Sequence, residues 1–318
     1  MMLGALEEYE EYPFTEEDQF RAVVAWNLKT LRPDAFTNRK QLKSAFMPQL
    51  LAIQNGDCGE SAFSNTNLAQ CCFPRLQQVG AFSFQNCRIR EVSQENFPSV
   101  TTIGEHGFFK CAVQKVKSES LKEVGDFGFA NCPLQQLEAA NLERVGNSAF
   151  YNCPLSSCLD LPKLVVVGDS GFYNCRINKA ILLKLQKVGR YGFYSCQIKH
   201  LSLPSLLEVG ACGFAWCPIT CASLPLLQTI GDRGFEGCHF VQIVLPSLNT
   251  LLDNAFSFCN NLQFIEAANI QNNGKNCPDQ CNANVKQINS NHRELSVCGI
   301  SRGKDKQYLI CNSDYQHE

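Results

Sequence analysis

The chain has 318 residues, with 28 Lys and Arg against 30 Asp and Glu, for a formal net charge of −2. That balance excludes a strongly basic nucleic-acid binder on bulk grounds, so no nucleic-acid partner is expected. No apolar run reaches the roughly 18 residues that a membrane span needs, so no membrane insertion is expected either.

Residues 1–30 read as an acidic N-terminus and a capping helix. Met1 to Asp18 holds seven acidic residues and no basic one, the opposite of a secretory leader, which points to a soluble cytoplasmic protein. From Thr15 the pattern predicts a helix: Thr15 can cap it, acidic residues fill its first turn, and Phe20, Val23, Val24 and Leu28 share a stripe. Such a helix would cover the open end of the next segment, or serve as a docking element for a peptide.

Residues 31–268 read as a repeat array of about 10–11 turns. The first two, around Phe36 and Ala62-Phe63, are degenerate, and the adjacent Cys71 and Cys72 read there as small core residues. Regular cycles come after them, on Phe84, Phe108, Phe129, Phe150, Phe172, Phe193, Phe214, Phe235 and Phe256. Each is trailed by a cysteine: Cys87, Cys111, Cys132, Cys153, Cys175, Cys196, Cys217, Cys238 and Cys259. Six of the eight intervals are 21 residues, and the others are 24 and 22. A fixed period of this length, with the same apolar slots refilled, signals a solenoid.

Counted from each cysteine, apolar residues recur at +2, +5, +7, +10 and +13, glycine at +14 and phenylalanine at +18. Slots +5 and +7 flank an outward residue, which is strand period, and proline at +8 (Pro204, Pro225, Pro246) ends that strand. The glycines suit positive φ or a close backbone approach. The phenylalanines should plug the interior as a column, since one coil cannot bury its own apolar face. The cysteines should form a second column of small buried side chains, each with a weak thiol hydrogen bond to a turn carbonyl. An odd total of 19 cysteines favours reduced thiols. Three extra residues between Cys87 and Pro98 predict a bulged loop.

Residues 269–318 break the pattern. Three β-like runs, Val285–Ile288, Leu295–Ile300 and Gln307–Cys311, predict a small β cap. Cys277, Cys281, Cys298 and Cys311, with His292 and His317, make a possible zinc set, although the Cys-x-x-x-Cys step lacks a second close pair.

The segment Leu206-x-x-Val209-Gly210-x-x-Gly213-Phe214-x-x-Cys217 resembles the leucine-rich repeat of the BspA-like class. That class reads roughly Leu-x-x-Ile-Gly-x-x-Ala-Phe-x-x-Cys/Asn-x-x-Leu, and the likeness covers about residues 50–265 in nine cycles. The cycles here are shorter than is common in the class. The resemblance implies a right-handed leucine-rich-repeat coil with one short strand per turn. It also implies protein recognition, and a cell-surface antigen or adhesin as an alternative to a cytoplasmic protein.

No phosphate loop, nucleophile elbow or His-Glu-x-x-His motif occurs, so no catalytic residue, resident metal or cofactor is expected. A monomeric, non-catalytic scaffold for a protein partner is the reading that remains. Two strips could carry recognition. One is the outward strand face, including Lys179, His200, Gln242 and Val244. The other trails the phenylalanine: Phe109, Tyr151, Tyr173, Tyr194, then Trp216 one place later. Aromatics at regular spacing suit partner recognition, or pack only on one another.

Overall fold

The computed structural model describes residues 20–55, 61–156 and 158–267, together with 2–3, 270, 272–273, 286–288 and 294–296. The chain winds as a β-solenoid, and no helix occurs among these residues.

Each coil contributes two short strands rather than one. The first occupies slots +4 to +6, as in Lys115–Lys117, Gln136–Glu138, His200–Ser202 and Gln242–Val244. These strands pair in parallel with their neighbours in groups of two to four. The second strand is two residues long and falls at +12 and +13, as in Arg144–Val145 and Lys187–Val188. Twelve of these join into one continuous parallel sheet running from Thr30–Leu31 to Asn272–Asn273. The coil therefore continues past residue 268. Parallel register is kept coil by coil, with Val124 opposite Val145 and Val145 opposite Val167, so like residues stack in files.

The central file is phenylalanine. Phe36, Phe63, Phe84, Phe108, Phe129, Phe150, Phe172, Phe193, Phe214, Phe235 and Phe256 stack with ring centroids 5.1–5.7 Å apart and planes within 14°. All are buried. Burying each side chain contributes about 1.5–3 kcal/mol, and offset stacking adds to that. The two coils with degenerate sequence join the same file through Phe36 and Phe63.

The helix expected over residues 15–28 does not form in its described part. Ala22–Ala25 is a strand, parallel to Ser44–Phe46 on one side and to Met2–Leu3 on the other. Val23 and Ala25 point inward while Ala22 and Val24 are half-buried, a period of two. Val23, Ala25, Leu28, Leu31 and Phe36 fill the slots of a full coil. The stripe on Phe20, Val23, Val24 and Leu28 is thus a repeat without its glycine and cysteine. Pairing with the next coil satisfies backbone groups that a terminal helix would leave facing an open sheet edge, and β-branched Val23 and Val24 suit it.

The extra residues before Pro98 close on themselves. Asn96 accepts a hydrogen bond from the Ser93 N–H at 2.8 Å and donates to the Glu91 carbonyl at 2.7 Å. This turn delivers Phe97 to the interior, edge-on to Phe84 and Phe108. It is less a bulge than a way to seat one more large side chain.

Left-handed backbone does not fall on the repeated glycines. It falls two residues after the first glycine and one before the cysteine, as at Ser170 and Asn174, both with φ 56°. Gly189 serves close approach instead: a Cβ there would lie 2.7 Å from the Gly168 carbonyl carbon in the coil before.

At the far end, Lys286–Ile288 and Glu294–Ser296 pair antiparallel, and Lys286–Ile288 lies against Phe264–Glu266. The third run expected in the cap, and the possible zinc set of Cys277, Cys281, Cys298, Cys311, His292 and His317, lie outside the described residues.

Candidate binding surface

The cysteine file lies beside the phenylalanines. Each thiol donates to the carbonyl of the phenylalanine one coil back: Cys132 to Phe108 at 3.0 Å, Cys153 to Phe129 at 3.1 Å, Cys175 to Phe150 at 3.2 Å. Cys196, Cys217 and Cys238 repeat the bond to Phe172, Phe193 and Phe214 at 3.3, 3.0 and 3.4 Å. Thr66 holds the same slot in an earlier coil, with its hydroxyl 3.4 Å from Cys87 Sγ. Burial pushes the Cys132, Cys175 and Cys217 thiols up to about 12. These groups are structural and inert.

The turn between the second strand and the cysteine forms one edge of the solenoid, and aromatic side chains gather there. Tyr151 stacks on Tyr173 at 4.9 Å, and Tyr173 on Tyr194 at 5.0 Å. Tyr191 stands edge-on to both Tyr173 and Tyr194, and the Arg190 guanidinium lies 4.9 Å above the Tyr191 ring. All four tyrosines are half-buried. Desolvation, with Tyr173 close by, raises the Tyr194 phenol above its ordinary value, so it remains a neutral donor.

Phe109 is not part of that stack. It meets His106 and Phe127, and His106 is sandwiched between Phe82 and Phe127 at 4.7 Å on each side. Trp216 also leaves the tyrosine file. It belongs to the neighbouring file, one residue before the cysteine, and its ring reaches Phe258 at 5.9 Å. In the tyrosine file the later coils carry Ala215 and then Glu236, which is buried. Burial raises the Glu236 carboxyl, against the pull of the nearby Arg233. Burial likewise raises the Cys212 thiol, with Glu236 adding to the effect.

On the strand face, Lys179, His200, Gln242 and Val244 are all exposed. Gln242 lies opposite Phe264 and Val244 opposite Glu266. Counting from Cys259 puts Ile265 outward; the last coil is shifted by one residue, so Ile265 is buried and Phe264 faces out. His200 Nδ1 lies 2.9 Å from Cys221 Sγ, a pair that the 21-residue spacing could have disclosed. Among the described residues no group of three or more His, Cys, Asp and Glu could hold a metal. Nor is any helix there long and apolar enough to cross a membrane.

The family model described as "BspA type Leucine rich repeat region (6 copies)" matches residues 4–90, 77–197 and 186–298. The chain belongs to this family. No curated protein matches its sequence. Among solved structures, the BspA-type coil is similar to a leucine-rich repeat protein from Bacteroides ovatus (19% identity, 84% of this chain and 86% of that one, TM-score 0.48). It is also similar to a leucine-rich repeat protein from Eubacterium ventriosum (15%, 89% and 80%, TM-score 0.46). A third is a leucine rich cell surface protein from Faecalibacterium prausnitzii (16%, 83% and 81%, TM-score 0.38).

Proposed function

We propose that this BspA-type protein is a non-catalytic scaffold that binds a protein partner along its aromatic turn edge. The observation that carries the reading is the Tyr151–Tyr173–Tyr194 stack with Tyr191 against it. Stacking fixes these rings before a partner arrives, so little side-chain entropy remains to be lost on binding. Tyrosine and arginine are the residue types that dominate interface energetics, and Arg190 adds a cation to the same edge. Cytoplasmic and surface settings are both compatible with this display.

Partners retained by the immobilised full chain, and identified by mass spectrometry, should be lost with Tyr173→Ala/Tyr194→Ala. Titration of the purified partner should then show binding weakened about tenfold or more. Equal retention and equal affinity for the two proteins, both folded by circular dichroism, would sink the reading.

A further inference from the structure

The file one residue before the cysteine takes left-handed backbone at every described coil. Over most of its length it is filled by the residue best suited to that conformation: Asn65, Asn86, Asn131, Asn152 and Asn174. Neighbouring amides bond to one another there, as Asn174 does to Asn152 at 3.0 Å. Beyond Ser195, three consecutive coils carry Trp216, Gly237 and Phe258 instead, with φ 59°, 68° and 59°. A bulky side chain is costly at positive φ, and Trp216 and Phe258 accept that cost here as Phe82, Phe127 and Tyr191 do in the other left-handed file.

The three changes work together. A Cβ on Gly237 would lie 2.7 Å from Trp216 Cε3, so glycine is what lets the indole lie across this coil and reach Phe258. Both rings remain open to solvent, Trp216 at 46% and Phe258 at 41%. They border a groove of about 460 Å³ that also takes in Gln197, His239 and Asn260. That volume lies within the range of small-ligand sites, about 300–1,000 Å³. The lining contains no Lys, Arg, Asp or Glu.

We propose that this groove is a binding site for a neutral oligosaccharide. An aromatic face carries negative quadrupole charge and accepts the polarised C–H face of a sugar ring. Amides donate and accept, which matches hydroxyls that do the same, and the His239 ring adds a further polar group to the lining. A charged ligand would find no countercharge among the lining residues. The site is separate from the tyrosine stack, so its fate does not decide the protein-binding reading.

The test uses the full chain with Trp26→Phe, which leaves Trp216 as its one tryptophan, since the sequence has two. Laminarihexaose, cellohexaose and chitohexaose are titrated by fluorescence and by calorimetry. At least one should give a saturable change. Trp216→Asn should abolish the heat of binding. That variant restores the file's own residue, so it keeps the fold while removing the ring. Phe258→Asn should weaken binding about tenfold or more, and Tyr173→Ala should leave it unchanged. Silence from all three sugars at millimolar concentration would overturn the proposal. So would unaltered heat with Trp216→Asn, or a proline-rich peptide producing the signal in their place.

Discussion

At the scale of single residues, the cysteine file makes a pH prediction. Burial raises Cys132, Cys175 and Cys217 from the ordinary 9.0 to about 12, so the folded chain holds protons that the unfolded chain releases. Their contribution is complete below about pH 9 and is lost as pH rises from there through about 12. At pH 10 each such thiol should already have given up about 1 kcal/mol. The thermal midpoint should therefore stay level from pH 7 to about 8.5 and fall steeply above it. Replacing all three thiols by alanine should lower the plateau and make the alkaline fall shallower; an unchanged slope would contradict the buried, protonated assignment. Native alkylation at pH 8 offers a second check. Among the described cysteines Cys158 is exposed and should label first, while the file does not.

At the scale of the repeated elements, the two glycine positions differ in what they tolerate. A methyl at Gly189 meets Asp169 Oδ1 at 2.6 Å and, with it, backbone, the Asp169 nitrogen and the Gly168 carbonyl carbon, each at 2.7 Å. At Gly192 it meets Val188 Cγ1 at 2.6 Å, the end of a side chain. Other coils already carry Ala149 and Ala255 at that second position, buried and accommodated. Gly189→Ala should cost about 1–3 kcal/mol in urea unfolding, and Gly192→Ala clearly less. Equal losses would mean that the coils do not abut through their backbones as described. The same contrast shows what is legible in the sequence. The first strand can be read because three alternating slots reveal a period of two. The second strand, two residues long with one of them inward, carries no period to read. Glycine is the residue that first suggests left-handed backbone, whereas Asn131, Asn152 and Asn174 carry the signal. The Trp216, Gly237 and Phe258 file is available from spacing alone, since the three lie 21 residues apart. Aligning Trp216 with tyrosines one residue out of register hides it.

At the scale of the whole molecule, each coil packs on its neighbours, with Trp216 reaching Phe258 across one coil as an exception, so stability is close to a sum of coil and interface contributions. Helical and β readings of residues 20–28 diverge for this reason: the strand there is held by register with Ser44–Phe46 on one side and Met2–Leu3 on the other, contacts that a local stripe of apolar residues does not disclose. A defect in the middle should consequently act differently from one at an end. Phe172 stacks at 5.1 Å on both Phe150 and Phe193, so Phe172→Ala opens a void that two interfaces share. It should cost about 3–5 kcal/mol. Phe256 stacks on Phe235 near the end of the described file, and its loss should release chiefly the coils around it. Hydrogen exchange separates the cases. Phe172→Ala should lower protection on both sides of the cut and split urea unfolding into two steps, while Phe256→Ala should leave protection before residue 200 as it was. One cooperative transition in both variants, with protection lost evenly, would show that the files act as a single block rather than as a chain of neighbours.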